Sequence, residues 1–360
     1  MYRTLIQPAL FALDPETAHN TLRTFARVAN VPSLSSAIGR LYSIDDPRLK
    51  VSVAGLEFKN PVGLAAGFDK NAELLGLWSA LGFGHIELGT VTAREQPGNP
   101  RPRIFRLTAD RALINRMGFP SEGADAIERR LSKIRNGDLK LPPIGINIGK
   151  SKEVELDKAI EDYCYSFRKL APCADYIAVN VSSPNTPNLR QLQDKERLSE
   201  LLAALRACNE HNRPVFVKVA PDLTFPALEE VVQCCFDNKI TGIIATNTSL
   251  GREGLKTQIN EVGGLSGSSI TKRSLEVVQF LGSAIDGRME LIGVGGVFSG
   301  QDALAMLCAG ASMVQIYTGL IYEGPGIVRA INRYLVEFME SRGCRNLRDA
   351  ATAWRSQLVA

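Results

Sequence analysis

From residue 61 onward the chain alternates short apolar runs with longer amphipathic stretches. The runs are Pro61–Ala65, His85–Leu88, Ile144–Ile146, Tyr176–Val179, Val215–Val217, Gly242–Ala245, Leu291–Val294 and Met313–Ile316. Each is brief and ends in polar or glycine-rich residues, the pattern of a strand buried on both faces. Between most of them apolar residues recur at helical spacing, as in Leu198, Leu201, Leu202 and Leu205, or Leu304, Met306 and Leu307. Strands alternating with helices in this number predict an α/β fold, a (β/α)8 TIM barrel, over an open sheet. Two connections, about residues 90–142 and 247–268, are too long for simple crossovers. Both leave the C-terminal ends of strands, where such barrels carry their chemistry, so both are predicted to be functional excursions.

Residues 1–45 do not share this rhythm. Leu22, Phe25, Ala26 and Ala29 form the stripe of one predicted helix, introduced by Asp14-Pro15. Leu34, Ala37, Ile38 and Leu41 form a second, after the break at Pro32-Ser33. Two readings stay open: a helical cap over the barrel bottom, or a small apolar module that touches a membrane or an apolar ligand. The predicted organisation is an N-terminal helical module at 1–45, a barrel at 46–340 and a tail at 341–360 with no assigned role.

Composition changes this picture little. The 360 residues are 45% hydrophobic and 22% charged, ordinary for a soluble globular chain. A net charge of +4 is too small to point to nucleic acid, and none is expected as a partner. The cysteines Cys164, Cys173, Cys208, Cys234, Cys235, Cys308 and Cys344 include no C-x-x-C pair, and no histidine stands at ligand spacing from them. They read as reduced thiols in a cytosolic protein, with no metal site. No apolar run reaches the roughly 18–20 residues of a membrane span, and the N-terminus lacks the form of a signal peptide.

The strand ends carry the candidate chemistry. They are Ala66-Gly67-Phe68-Asp69-Lys70, Gly89-Thr90, Asn147, Asn180 with Ser183, Lys218, Thr246-Asn247-Thr248, Gly295-Gly296 and Tyr317-Thr318. One such ending is ordinarily a loop or a helix cap. Eight around one rim predict a site. Gly293-Val294-Gly295-Gly296 and Tyr317-Thr318-Gly319 follow the last two strands, where barrels often place backbone amides around a phosphate, with Gly267 close by. A dinucleotide fingerprint fails because Phe298 stands where a third glycine belongs, so a monophosphate is expected.

Asn115, Asn147, Asn180, Asn185 and Asn247 offer donors and acceptors suited to a flat heterocycle with alternating carbonyl and N–H edges. Lys70 and Lys218 could face a carboxylate or a developing anion, or could equally be structural ion-pair partners. Ser183 has no evident triad. His85 belongs at the start of the second strand, His211 at a helix end and His19 in the N-terminal module. Serine hydrolysis is disfavoured, and a general-base role stays open if the substrate proton is acidified and has an exit.

LAAGFDKN, IELGTVT, PGNPRPR, INRMGF, IGINIGK, NVSSPNTPNLR, KVAPDL, ATNTS, GGLSG, GVGGV and QIYTG occur in this order over about residues 5–335. Together they resemble the dihydroorotate dehydrogenase family. The resemblance implies a barrel with one flavin mononucleotide (FMN) that oxidises dihydroorotate to orotate in pyrimidine synthesis, on the way to UMP. Serine at position 183 and the N-terminal extension resemble the membrane-associated, quinone-reducing class. The soluble class typically has cysteine there, lacks the extension and uses fumarate or a nicotinamide.

By this resemblance Ser183 is the general base, and Thr186 and Phe119 guide its proton outward. Lys70, Asn115, Arg116, Met117, Gly118, Phe119, Asn180, Asn185, Asn247 and Thr248 would hold the substrate. Ala66, Gly67, Phe68, Asp69, Lys70, Thr90, Asn147, Asn180, Lys218, Thr246, Gly267, Gly296, Tyr317 and Thr318 would hold FMN. His19, Arg103 and Tyr317 would lie near the quinone, ubiquinone or menaquinone. A monomer is implied, attached peripherally to the cytoplasmic face of a bacterial inner membrane. Outside the family, two readings compete: a flavin-free barrel lyase or isomerase with Lys218 as Schiff-base lysine, and a non-enzymatic sensor of a phosphorylated ligand.

Overall fold

The computed structural model describes residues 2–26, 32–137 and 139–358. Eight parallel strands close into a barrel: β1 (Val62–Leu64), β2 (His85–Val91), β3 (Ile144–Ile148), β4 (Tyr176–Asn180), β5 (Val215–Val219), β6 (Gly242–Ala245), β7 (Glu290–Val294) and β8 (Met313–Ile316). Each pairs with its neighbour in chain order, and β8 returns to β1 through Val314 opposite Val62. All eight are the predicted runs. Most strand positions are fully buried, because one face fills the barrel and the other meets the surrounding helices. The helical stripes behave accordingly. Leu198, Leu201, Leu202 and Leu205 are all buried on helix Lys195–Cys208.

The barrel bottom is closed by a hairpin, Val51–Val53 with Leu56–Phe58. Its Phe58 ring packs edge-on against His85, at 5.6 Å between centroids. The N-terminal helices therefore do not cap the bottom. They are α1 (Gln7–Ala12), α2 (Pro15–Ala26) and α3 (Pro32–Tyr42). His19 of α2 meets Phe68 just beyond β1, which sets α2 beside the rim. Helix α3 packs along Leu75–Ala80 on the outside of the barrel. Of the two predicted stripes, Ala29 and the side chains of Leu22, Phe25 and Ala26 lie outside the described residues. On α3, Leu34, Ala37 and Leu41 are exposed and Ile38 is half-buried.

The two long excursions build one structure together. Strands Ile104–Leu107 and Ala112–Asn115 come from the first, and Gly264–Gly267 comes from the second. They form a three-stranded antiparallel sheet in which Asn115 stands opposite Gly264. Its pairing carries Asn115 and Gly267 to the rim from distant parts of the chain. The tail forms helix Leu347–Leu358, which buries Leu347, Ala350 and Ala351 and packs on helices Ile327–Arg342 and Gly300–Cys308. Among the described residues, no helix is long and apolar enough to cross a membrane and no cluster could hold a metal ion.

Candidate active site

The strand ends and the three-stranded sheet line one cleft. Ala66, Gly67, Lys70, Thr90, Asn115, Met117, Gly118, Phe119, Asn180, Ser183, Asn185, Lys218, Thr246, Asn247, Thr248, Gly267, Gly296, Tyr317 and Thr318 all line it. Ser183, three residues past β4, is buried, and its Oγ accepts the Asn185 N–H at 3.3 Å. Asn185 Nδ2 donates to Asn115 Oδ1 at 3.3 Å, joining the serine loop to the sheet. None of the three histidines lines the cleft.

The amides are locked by one another. Asn180 Nδ2 donates to Thr90 Oγ1 at 3.0 Å and to Asn147 Oδ1 at 3.2 Å, while Thr90 Oγ1 donates to Asn147 Oδ1 at 2.6 Å. Asn247 Nδ2 donates to Asn180 Oδ1 at 3.1 Å and to Ser182 Oγ at 2.9 Å. Such a network fixes which edge of each amide faces the cleft. Asn147 itself lies beneath the wall, fully buried.

At the opposite side the backbone forms a cradle. Gly295 and Gly296 adopt φ of +115° and +75°. A Cβ would come within 2.4 Å of Ser274 Oγ at the first, and within 2.1 Å of Thr271 Oγ1 at the second. Only glycine fits there. Nearby, the hydroxyls of Ser266 and Thr318 are 2.9 Å apart.

Other predicted residues stand outside the lining. Asp69 holds the loop after β1 by accepting the Glu73 and Leu74 N–H groups and Trp78 Nε1, and burial raises its pKa above the ordinary value. Arg116 turns outward, pairs with Glu261 and lies over the Phe105 ring. Thr186 is buried, with its Oγ1 unpartnered. Phe68 packs between His19 and Tyr317, at centroid distances of 5.3 and 5.1 Å. Arg103 is held by Glu16 of α2, Nη2 to Oε1 at 2.8 Å, and by the carbonyls of Pro97 and Asn99.

Burial also sets the protonation of these groups. The Lys70 ammonium is lowered to about 8 by burial first and then by Arg103, against the opposing pull of Glu16 and Asp69. The same burial, with Lys70 and Arg23 as like charges, lowers His19 to about 3, so its ring is neutral at pH 7. Burial raises the Tyr317 phenol to about 12.

This arrangement combines a glycine-rich backbone turn, a locked amide wall, a cation and a buried serine without a histidine. The family model for dihydroorotate dehydrogenase matches residues 48–339. The chain belongs to the dihydroorotate dehydrogenase family. It is 49% identical to the "Dihydroorotate dehydrogenase (quinone)" of Gloeobacter violaceus over 350 residues, covering 97% of this chain and 98% of the relative. The protein of the same description from Christiangramia forsetii is 50% identical over 345 residues, covering 94% and 99%. The Eimeria tenella DHODH crystal structure with ferulenol matches with a TM-score of 0.87 at 35% identity, covering 95% of this chain and 97% of that one. Its ligand-free form matches at 0.85 and 36%, covering 94% and 98%.

Sequence reading missed several polar groups in this member of the dihydroorotate dehydrogenase family. Glu87 lies fully buried inside the barrel, where it meets Lys218, Asn147 and Gln315. Its signal was a carboxylate in the middle of an otherwise apolar strand, two residues after His85 and so on the same face. Gln96 and Asn99 lie in the PGNPRPR excursion and tie the cleft loops down. Gln96 Nε2 donates to the carbonyls of Gly118 and Phe119 at 3.0 and 2.9 Å. Asn99 Nδ2 donates to those of Arg116 and Asn185 at 3.0 and 3.3 Å. Nothing in their spacing announced those partners.

Proposed function

We propose that the protein is an FMN-dependent dihydroorotate:quinone oxidoreductase of pyrimidine biosynthesis, acting as a monomer at a membrane surface. The observation that carries this is the meeting of Ser183, Lys70, the asparagines and the glycine cradle in one cleft, in a chain about as long as its quinone-class relatives. On this reading residues 46–340 are the catalytic barrel and 1–45 the quinone-access module.

The residues fit FMN. The positive-φ glycine turn at Gly295 and Gly296, lining the cleft with Gly267 and the hydroxyls of Ser266 and Thr318, suits a phosphate monoester. Thr90, Asn180, Lys218 and Thr246 suit the polar edge of a flavin ring. FMN, when bound, supplies a two-electron acceptor for the substrate hydride and a donor to the quinone.

The chain does the rest. Lys70 faces the substrate carboxylate, while Asn115, Asn180, Asn185 and Asn247 pair with the ring edges. Ser183 Oγ removes the ring proton. Its own hydroxyl proton must leave as the ring proton arrives, and the Asn185 N–H that Oγ accepts stabilises the negative charge on the oxygen as that hydroxyl proton departs. The unpartnered Thr186 hydroxyl offers the next acceptor along the loop.

The quinone side is supported by the surface. Among the described residues, five of the nine exposed large hydrophobics, Leu5, Ile6, Leu13, Leu34 and Leu41, fall in the first 41 positions, while Tyr165, Phe225, Leu250 and Val262 are scattered over the rest of the chain. The N-terminal five suit peripheral contact with lipid, at the cytoplasmic face of a bacterial membrane. His19, Phe68 and Tyr317 lie in ring contact between that module and the cleft.

Anaerobic titration tests the reading. Dihydroorotate should bleach the flavin absorbance of the purified protein, and quinone should restore it faster than fumarate or a nicotinamide. Absence of bleaching overturns the proposal. Preferential reoxidation by fumarate or a nicotinamide would assign the soluble-class activity instead.

A further inference from the structure

The interior of the barrel carries an ion pair beneath the cleft. Glu87 on β2 has no exposed surface, and four donors converge on its carboxylate. Asn147 Nδ2 at 2.9 Å and Lys218 Nζ at 3.2 Å reach Oε1. Gln315 Nε2 at 2.7 Å and the Tyr176 hydroxyl at 3.4 Å reach Oε2. Lys218 and Gln315 both line the cleft, so the carboxylate sits one side-chain layer below its floor.

Of these partners only Lys218 brings charge. His85 lies near the same group, with Nε2 at 3.4 Å from Gln315 Nε2. Burial, opposed by Glu87, lowers the His85 ring to about 4, so it is neutral at pH 7. Tyr176 is held well above the ordinary phenol value by burial first and then by Glu87, so it too is neutral. The floor therefore contains one positive and one negative charge in contact. Glu87 also orients the wall. By taking Asn147 Nδ2 it leaves Asn147 Oδ1 to accept from Thr90 and Asn180, both of which line the cleft.

We propose that Glu87 is the positioning residue and counter-ion for Lys218, and that the pair, neutral as a unit, sets the reduction potential of the flavin bound above it. This rests on the function proposed in the preceding section. The physical basis is the low dielectric of a closed barrel interior, where an unmatched charge acts strongly on its neighbours and a half-removed pair is costly. Reduction adds negative charge to the flavin. An unmatched Lys218 would favour it, and an unmatched Glu87 would oppose it.

The test uses Glu87→Gln, Lys218→Met and the double variant, each purified as holoprotein, with midpoint potentials from reductive titration. Glu87→Gln is expected to raise the potential by about 30 mV, a tenfold shift in the oxidised-to-reduced ratio of a two-electron couple. Lys218→Met should lower it by a similar amount, and the double variant should return close to the parent. A purely structural role would shift both single variants alike or not at all, and either result overturns the proposal. So does a double variant no nearer the parent than the singles.

Thermal melting gives a reading that needs no flavin. Each single variant leaves one buried charge unmatched and should melt below the double variant, in apoprotein as in holoprotein. A single variant melting at or above the double overturns the pair. A parent protein that binds no flavin contradicts the proposed function, while the melting comparison still decides the pair.

Discussion

The backbone N–H of Asn185 donates to Ser183 Oγ over 3.3 Å, so the serine loop holds its own hydroxyl from two residues downstream. A histidine in a hydrolytic site would accept the serine's proton, whereas this amide donates to its oxygen. It stabilises negative charge on the oxygen without carrying its proton away, which suits a base that acts on an acidified carbon. Ser183→Ala should slow flavin reduction by dihydroorotate roughly 10²–10⁴-fold, the scale for losing a general base. Flavin content should stay near that of the parent. Rapid-mixing absorbance measures this, and near-parent reduction would remove Ser183 from the chemistry.

Lys70 gives a pH dependence with a defined sign. Its ammonium is lowered to about 8, chiefly by burial, so it is charged below that pH and neutral above it. Dihydroorotate and orotate are carboxylates, and their binding should weaken as pH rises through about 8. A KM profile for dihydroorotate, or the orotate-induced change in flavin absorbance, reports this. Lys70→Arg should flatten the rise over the same interval, because guanidinium stays charged. The stability effect runs the other way. Between about 8 and 10.5 the unfolded chain holds this proton more firmly than the folded one, so Lys70 makes folding more favourable as pH rises across that window.

Legibility in the sequence followed the range of the interaction. The barrel strands were readable because each is a short apolar run whose ends carry the polar residues, a pattern local to five or so positions. The cleft residues were readable for the same reason, since a closed barrel brings all the C-terminal strand ends to one rim. What could not be read was pairing between distant segments. The sheet that sets Asn115 opposite Gly264 joins residues about 150 positions apart, and neither partner has a strong strand pattern. Glu87 was visible as a charge in an apolar run, but its partners on β3, β5 and β8 appear only once the barrel closes. The bottom hairpin was missed because its strands are three residues each, too short to establish a period.

Membrane contact is open to direct measurement on the exposed face of α3. Leu34 and Leu41 are 41% and 63% exposed, seven positions apart and so on one face. Burying a leucine in an apolar phase contributes about 1.5–3 kcal/mol. Leu34→Glu and Leu41→Glu should therefore each weaken co-sedimentation with phospholipid vesicles by about tenfold or more. Reduction by dihydroorotate should be unchanged, because neither side chain approaches the cleft. These substitutions are a cleaner test than removing residues 1–45. That segment is stitched to the barrel by the Tyr2 hydroxyl on the Ile321 carbonyl and by Glu16 on Arg103, and its loss would disturb both. Vesicle binding unaltered by both leucine changes would place the lipid contact elsewhere.

A change at His19 should separate the two proposed half-reactions. Its ring packs on Phe68, which packs in turn on Tyr317 of the cleft wall, so it stands on the far side of an aromatic layer from Ser183. Lowered to about 3, chiefly by burial, it is neutral throughout the working range, which suits the proposed quinone side of the site. His19→Ala removes one ring contact worth about 0.5–1.5 kcal/mol, which corresponds to as much as a tenfold rate effect. The expected outcome is slower reoxidation of reduced flavin by a short-chain quinone, with the bleaching rate by dihydroorotate preserved. The reoxidation rate should also be flat between pH 5 and 8 in the parent, because the imidazole does not titrate there. A parent rate that follows an ordinary histidine titration, or equal slowing of both half-reactions in the variant, would place His19 outside the quinone passage.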